Sequence, residues 1–301
     1  MLDSNIGRSM TATKDILASP NTMPVEAVGG DRVLIEPTGS LLRLDLGAIW
    51  KHRELLLFLA WRDVKARYAQ TVMGIGWALV QPLLSMAIFT VIFSYWAKLP
   101  SDGLPYPLFA YTALLPWLYF SRSLDKSAGS LVAEAGLIKK VYFPRVIIPI
   151  SATLVGLVDF FVGLLLLIGM MIWYGIAPTY GILALPFLLL LTLASSLAVS
   201  LWLSAIHVKY RDIGAVLPLI IQLWMYASPV VYSVNMVPER WRTLYSLNPM
   251  VGVIEGFRWA LLGKTSPDFL AIGLGAGVVV LLLLCGLVYF KWMERTFADV
   301  I

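Results

Sequence analysis

Chemistry needs side chains of the right type held a few ångströms apart, and this sequence offers few such groupings. Gly263-Lys264-Thr265 has the end of a phosphate-binding loop, but that pattern needs a glycine at position 258, where Arg258 stands, and a strand before it. His52 and His207 stand alone, so no metal site is expected, and no Ser/His/Asp relay can be assembled around them. Glu255 and Arg258, three residues apart, would meet on one helix face. Asp159 is the one acidic residue deep in an apolar run. In lipid it must face protein or water, or take up a proton, so it either lines a pathway or bonds a neighbouring helix. These residues point away from catalysis by the chain itself.

The elements that would hold them are set by composition. The 301 residues are 59% hydrophobic and 14% charged, with mean hydropathy +0.81. Soluble proteins carry about 25% charged residues, so this is an all-α, multi-pass membrane protein. The single cysteine, Cys285, excludes a disulfide framework and reads as a packing residue in an apolar run. The net charge of +5 matches basic inner loops rather than a nucleic-acid footprint, and the N-terminus lacks the short apolar core of a signal peptide. Apolar runs predict six spans, at about 72–96, 106–124, 146–173, 182–206, 213–232 and 269–290. Pro82 predicts a kink in the first, and Gly273 and Gly277 give the last a small-residue pair suited to close helix packing.

Three stretches outside the spans carry pattern. Residues 1–40 are polar and rich in turn formers, which predicts a flexible cytoplasmic tail. In 41–71, Leu57, Ala60, Trp61, Val64 and Tyr68 share one helical face, while Arg62, Lys65 and Arg67 would point to headgroups or water. That predicts an amphipathic helix along the inner surface. In 130–143, Leu131, Ala135, Ile138 and Tyr142 share a face. Ser130 suits an N-cap, Glu134 the first turns, Lys139 and Lys140 the last, and Pro144 the stop. This predicts a short amphipathic helix at the cytoplasmic surface. The region 233–267 carries scattered charges, its apolar stretch 250–262 is too short to span, and its Asn248-Pro249 turn predicts two short helices dipping into the outer leaflet and returning.

With both termini inside, the cytoplasmic segments hold 18 of the 23 Lys and Arg, which fixes the expected orientation. Trp96, Trp117, Trp173 and Trp241 fall at expected span ends, where aromatic belts form. Phe89, Phe93, Tyr119, Phe160, Trp224 and Tyr226 fall in or beside spans, where they either pack or offer faces on which sugar rings could stack.

Several motifs in order resemble type-2 ABC exporter permeases, in particular the membrane subunits of O-antigen and related polysaccharide exporters. They are Trp61-Arg62-Asp63-Val64-Lys65-Ala66-Arg67-Tyr68, Gly74-Ile75-Gly76-Trp77, Gln81-Pro82-Leu83, Pro105-Tyr106-Pro107-Leu108-Phe109, Leu137-Ile138-Lys139-Lys140-Val141-Tyr142-Phe143-Pro144-Arg145, the loop 207–212, and Leu247-Asn248-Pro249-Met250. The similarity runs from about Leu41 to the C-terminus, so the ABC-2 type transmembrane domain would occupy 72–301 behind its interface helix.

The resemblance implies a homodimer in the bacterial inner membrane, with two copies of a separate ATPase that carries the ATP and Mg. It implies no cofactor and no metal in this chain. It maps an interface helix to about 46–68 (Trp61, Arg62, Asp63, Lys65, Arg67, Tyr68) and outer re-entrant helices to about 238–263 (Asn248, Pro249, Glu255, Arg258). An ATPase-coupling helix maps to 131–143, with Leu131, Glu134, Leu137, Ile138, Lys139, Lys140, Val141, Tyr142 and Phe143. The implied substrate is a polysaccharide on undecaprenyl diphosphate, with capsular polysaccharide or teichoic acid as alternatives. A polyprenyl-linked glycan transferase would need a catalytic cluster on an outer loop, where only Glu255 and Arg258 stand. An ion channel or secondary carrier would show more intramembrane charge or inverted repeats.

Overall fold

A computed structural model describes residues 46–69, 76–263 and 268–300. It divides into two units, Met1–Gly39 and Ser40–Ile301. The first unit lies outside the described residues, as do the expected start of the first span at 72–75 and most of the Gly263-Lys264-Thr265 motif. The description below concerns the second unit.

Long runs of Leu, Val, Ile and Ala leave the backbone no hydrogen-bond partner in lipid except itself, so helix is the forced outcome. No strand occurs among the described residues. In chain order the helices are α1 (Leu46–Lys51), α2 (Arg53–Tyr68), α3 (Gly76–Phe89), α4 (Tyr106–Ala128), α5 (Ser130–Ala133), α6 (Ala135–Ile138) and α7 (Ile147–Trp173). They continue with α8 (Leu185–Lys209), α9 (Ile213–Tyr226), α10 (Glu239–Tyr245), α11 (Pro249–Leu262) and α12 (Phe269–Val300).

Among the described residues four segments are long and apolar enough to cross a membrane: Gly76–Trp96, Ile147–Trp173, Tyr180–Lys209 and Phe269–Phe297. At 23 residues, α4 is also long enough, and it is the most enclosed of the long helices. It packs against α7, α8 and α11. Its Tyr111, Phe120 and Leu124 anchor the main core with Phe160, Val253 and Phe257. A second core lies at the α5–α6 end, where Leu59, Leu131, Phe143, Ile147, Phe290 and Phe297 meet.

Several boundaries differ from expectation. Only Gly129 separates α4 from α5, and the expected 130–143 helix is two four-residue helices broken at Glu134. The Ser130 hydroxyl donates back to the Ser127 carbonyl rather than capping a helix. Helix ends at Ile138, well before Pro144, and this separates residues expected on one face: Leu131 is fully buried, while Tyr142 is 80% exposed. The first span ends in a π-helical stretch, Thr90–Trp96.

The fifth apolar run yields only the 14-residue α9, because the chain turns at Ala227 and then runs irregularly through Pro229. At about 1.5 Å per residue, α9 reaches about 21 Å, short of the hydrocarbon core. The last helix does not stop at Phe290. It continues through the expected tail because Met293 and Phe297 are buried in the second core. Arg145 also fastens that end: its amide donates to Glu294 Oε1 at 3.2 Å.

Close approach places α11. A Cβ on Gly252 would lie 2.8 Å from the Ala271 carbonyl oxygen and 2.9 Å from the Ile272 Cα, so glycine there lets α11 press onto α12. Gly273 and Gly277, the expected packing pair, meet nothing within 4 Å, and the intervening Gly275 faces α11 instead. Trp96 and Trp173 are exposed at element ends, as an aromatic belt requires, and Trp241 is exposed within α10, but Trp117 is buried within α4. Cys285 is exposed on α12 rather than packed.

Candidate functional site

At the α5–α6 end, two buried faces leave one free tip. Leu131 and Phe143 are buried, and Leu137 and Ile138 pack partly against the same core. Lys139, Lys140, Val141 and Tyr142 are exposed and, with Ile138, Phe143 and Arg145, enclose a shallow cavity of about 310 Å³. The chain therefore roots the turn with apolar side chains and presents two lysines and a tyrosine outward.

Glu134 sits at the break between α5 and α6, and its carboxylate takes both outer nitrogens of Arg62 on α2. The second contact is the tighter, and Arg62 Nη1 to Oε2 is 3.3 Å. Arg62 Nε also donates to Asp63 at 2.9 Å. Glu134 first, then Asp63, hold the guanidinium further in its charged form. Trp61 is exposed, with the Lys65 ammonium 5.5 Å above its ring. Arg67 does not point to headgroups. It turns inward, 30% exposed, with Nη2 2.8 Å from Asp159 Oδ2.

Asp159 lies about half-way along α7, is 8% exposed, and gathers three elements. Arg122 Nη1 of α4 reaches the same Oδ2 at 3.0 Å, and the Tyr68 hydroxyl of α2 donates to Oδ1. Arg122 is held in turn by Gln81 of α3 at 2.7 Å. Burial, then the Asp159 carboxylate, push the Tyr68 hydroxyl up to about 12, so it remains a donor at neutral pH. Bonding to neighbouring helices, one of the two roles open for Asp159, is what its contacts show. Arg122 and Gln81 went unassigned from sequence, because Arg122 falls at the end of the expected second span, where a basic residue is ordinary.

At the opposite end, the irregular segment 227–233 between α9 and α10 has Ser228, Val230, Val231 and Ser233 buried. Non-helical backbone at membrane depth must be satisfied by protein. Arg258 of α11, 1% exposed, donates from Nη2 to the Val230 carbonyl at 3.2 Å and from Nη1 to Glu255 Oε1 at 2.8 Å, and its Cζ lies 3.6 Å from the Phe109 ring centroid. The Tyr106 hydroxyl donates to the Val231 carbonyl at 2.8 Å. Asn248 caps α11 by accepting from the Met250 amide at 3.1 Å and donates to the Ala227 carbonyl at 3.0 Å, and Pro249 opens the helix. The Glu255–Arg258 pair thus forms as the spacing predicts, but Arg258 is sealed beneath Phe109 and offers no surface to a substrate.

The candidate pathway aromatics split into two groups. Tyr119 and Phe160 are core residues in edge contact at 6.0 Å, and Phe160 also meets Phe257. Phe89 and Phe93 form a half-buried edge pair on the first span, Trp224 is half-buried and donates to Asn248 at 3.0 Å, and Tyr226 is exposed. Among the described residues no group of His, Cys, Asp and Glu is placed to hold a metal ion.

Residues 54–262 match the family model described as ABC-2 type transporter. The chain is 30% identical over 254 residues to the O-antigen export system permease protein RfbA of Myxococcus xanthus, covering 83% of this chain and 96% of that protein. Over 262 residues it is 28% identical to the RfbA permease of Klebsiella pneumoniae, covering 86% of this chain and 98% of the relative. It is 24% identical to the polysialic acid transport protein KpsM of Escherichia coli, covering 79% of this chain and 92% of that protein. The family match spans more than half of the residues and takes in the centres at Arg62, Asp159 and Arg258, so this chain belongs to the ABC-2 type transporter family.

Proposed function

We propose that this chain is the membrane-spanning permease of an ATP-driven polysaccharide exporter, with O-antigen-type glycan on undecaprenyl diphosphate as the cargo. The observation that carries the reading is similarity along nearly the whole length of two O-antigen export permeases. The α5–α6 tip supports it, because an apolar-rooted turn with exposed Lys139, Lys140 and Tyr142 suits docking by a separate ATPase that supplies ATP and Mg. Two copies of the permease and two of the ATPase would form the working unit. The exposed apolar faces of α3 and α9 are consistent with a second copy or lipid beside them. In this reading both termini and the α5–α6 tip lie in the cytoplasm and α10–α11 on the outer side of the inner membrane, an orientation that the bias of basic residues supports.

Export of capsular polysaccharide is a second reading, favoured by the similarity to KpsM. Glycan transfer or ligation by the chain itself loses its one candidate pair, because Arg258 is enclosed and engaged. The test is reconstitution of the chain and its cognate ATPase in proteoliposomes with extracted lipid-linked glycan. ATP-dependent movement of the glycan to the opposite leaflet is expected. Undiminished movement without the ATPase would overturn the reading.

A further inference from the structure

Two ionic contacts on α2 lie five residues apart, at Arg62 and Arg67. Five helical residues advance about 7.5 Å and turn about 140°, so the two side chains leave opposite parts of the helix at different heights. Arg62 holds Glu134 at the α5–α6 break, and Arg67 holds Asp159 on α7. Arg122 binds the same Asp159 from α4, and α4 continues through Gly129 into α5. The contacts therefore close a ring: α5–α6, Glu134, Arg62, α2, Arg67, Asp159, Arg122, α4 and back to α5.

We propose that this ring makes α2 a transmission strut, and that Arg62, Glu134, Arg67 and Asp159 are positioning residues for export. The inference rests on the exporter reading and deepens it. A closed ring resists shear. If α5–α6 is displaced, α2 must move with it, or a charged contact must break where partners are scarce. Leu59 on the same helix is buried in the second core, which also holds Leu131 and Ile147, and α2 packs along α7. Arg67 and Tyr68 pass the displacement to α7 about half-way along that helix, and Arg122 with Gln81 passes it to α4 and α3.

The test uses the full chain in nanodiscs, alone and with its ATPase. Arg67→Met severs α2 from α7 and leaves the Arg122–Asp159 pair in balance. Arg62→Glu breaks the other contact, and Arg62→Glu with Glu134→Arg rebuilds it with reversed charge. Each broken contact is expected to keep ATP hydrolysis and its KM near wild type and to cut glycan moved per ATP by roughly tenfold, the scale of such coupling ties. The reversed pair should recover most of that loss. A residue needed only for folding would instead lower hydrolysis and transport together, with no rescue. In the chain alone, amide exchange across 53–69 should quicken by about tenfold in Arg67→Met and Arg62→Glu and slow again in the reversed pair. Wild-type transport per ATP in both broken variants, or unchanged exchange in both, would overturn the strut. Failure of the wild-type complex to move any glycan would instead remove the exporter reading, with the exchange result still deciding whether α2 is tied at both points.

Discussion

Arg258 and Asp159 show why single charges in an apolar chain repay close reading. Each is buried, and each is engaged by groups from elements far away in sequence. Arg258 is tied to Glu255 and to the Val230 and Tyr232 carbonyls. Arg258→Met would leave that carboxylate and those carbonyls without their donor. Breaking one side of a buried pair costs about 3–5 kcal/mol, so a marked fall in thermal unfolding temperature is expected in detergent. Glu255→Gln should cost less, because the amide oxygen still accepts from Arg258. Equal falls in the two variants would show that the pair, rather than the carbonyl contacts, carries the stability. Of these residues, only the local pair Glu255–Arg258 was legible in the sequence, since three residues on one helix fix their own distance. The carbonyls it also binds belong to a segment with no periodicity to read.

At the scale of elements, the α5–α6 turn separates a rooted side from a presented side. Tyr142 is exposed, whereas Ile138 packs against the second core. Tyr142→Asp is therefore expected to weaken ATP-driven export several-fold and to leave the unfolding temperature unchanged. Ile138→Asp should lower both, because it places a charge against apolar side chains. Export at the wild-type rate in Tyr142→Asp would remove the docking role of the tip. Spacing alone put Tyr142 on the face of Leu131, and the break at Glu134 is the reason it is not there. Four-residue helices gain little from their own hydrogen bonds, so tertiary contacts decide where they stop. The long helices behaved differently: α7 begins and ends within a residue or so of its apolar run, because lipid-facing composition and helix length constrain one another.

For the whole molecule, the testable property is orientation. In a Cys285→Ser background, Arg240→Cys at the start of α10 and Lys140→Cys at the α5–α6 tip both place a thiol at an exposed position. Membrane-impermeant labelling from outside should reach the first in intact spheroplasts and the second only after the membrane is opened. The reverse pattern would invert the proposed orientation. Both sites report on one topology, since α4 runs from beside the Val231 carbonyl to the α5–α6 turn and so links the two ends of the molecule.

Composition by itself determined that this chain is helical and lives in a membrane, because burial in lipid penalises unpaired backbone and charge wherever they fall. The order of short motifs was enough to indicate the family. Tertiary structure alone decided that Asp159 joins α2, α4 and α7, that Arg67 turns inward, that α9 stops short, and that α12 runs on past Phe290. Helical periodicity tells a residue which neighbours it has on its own helix. It carries no information about which other helix will face it, and that is settled only when side chains from distant positions pack together.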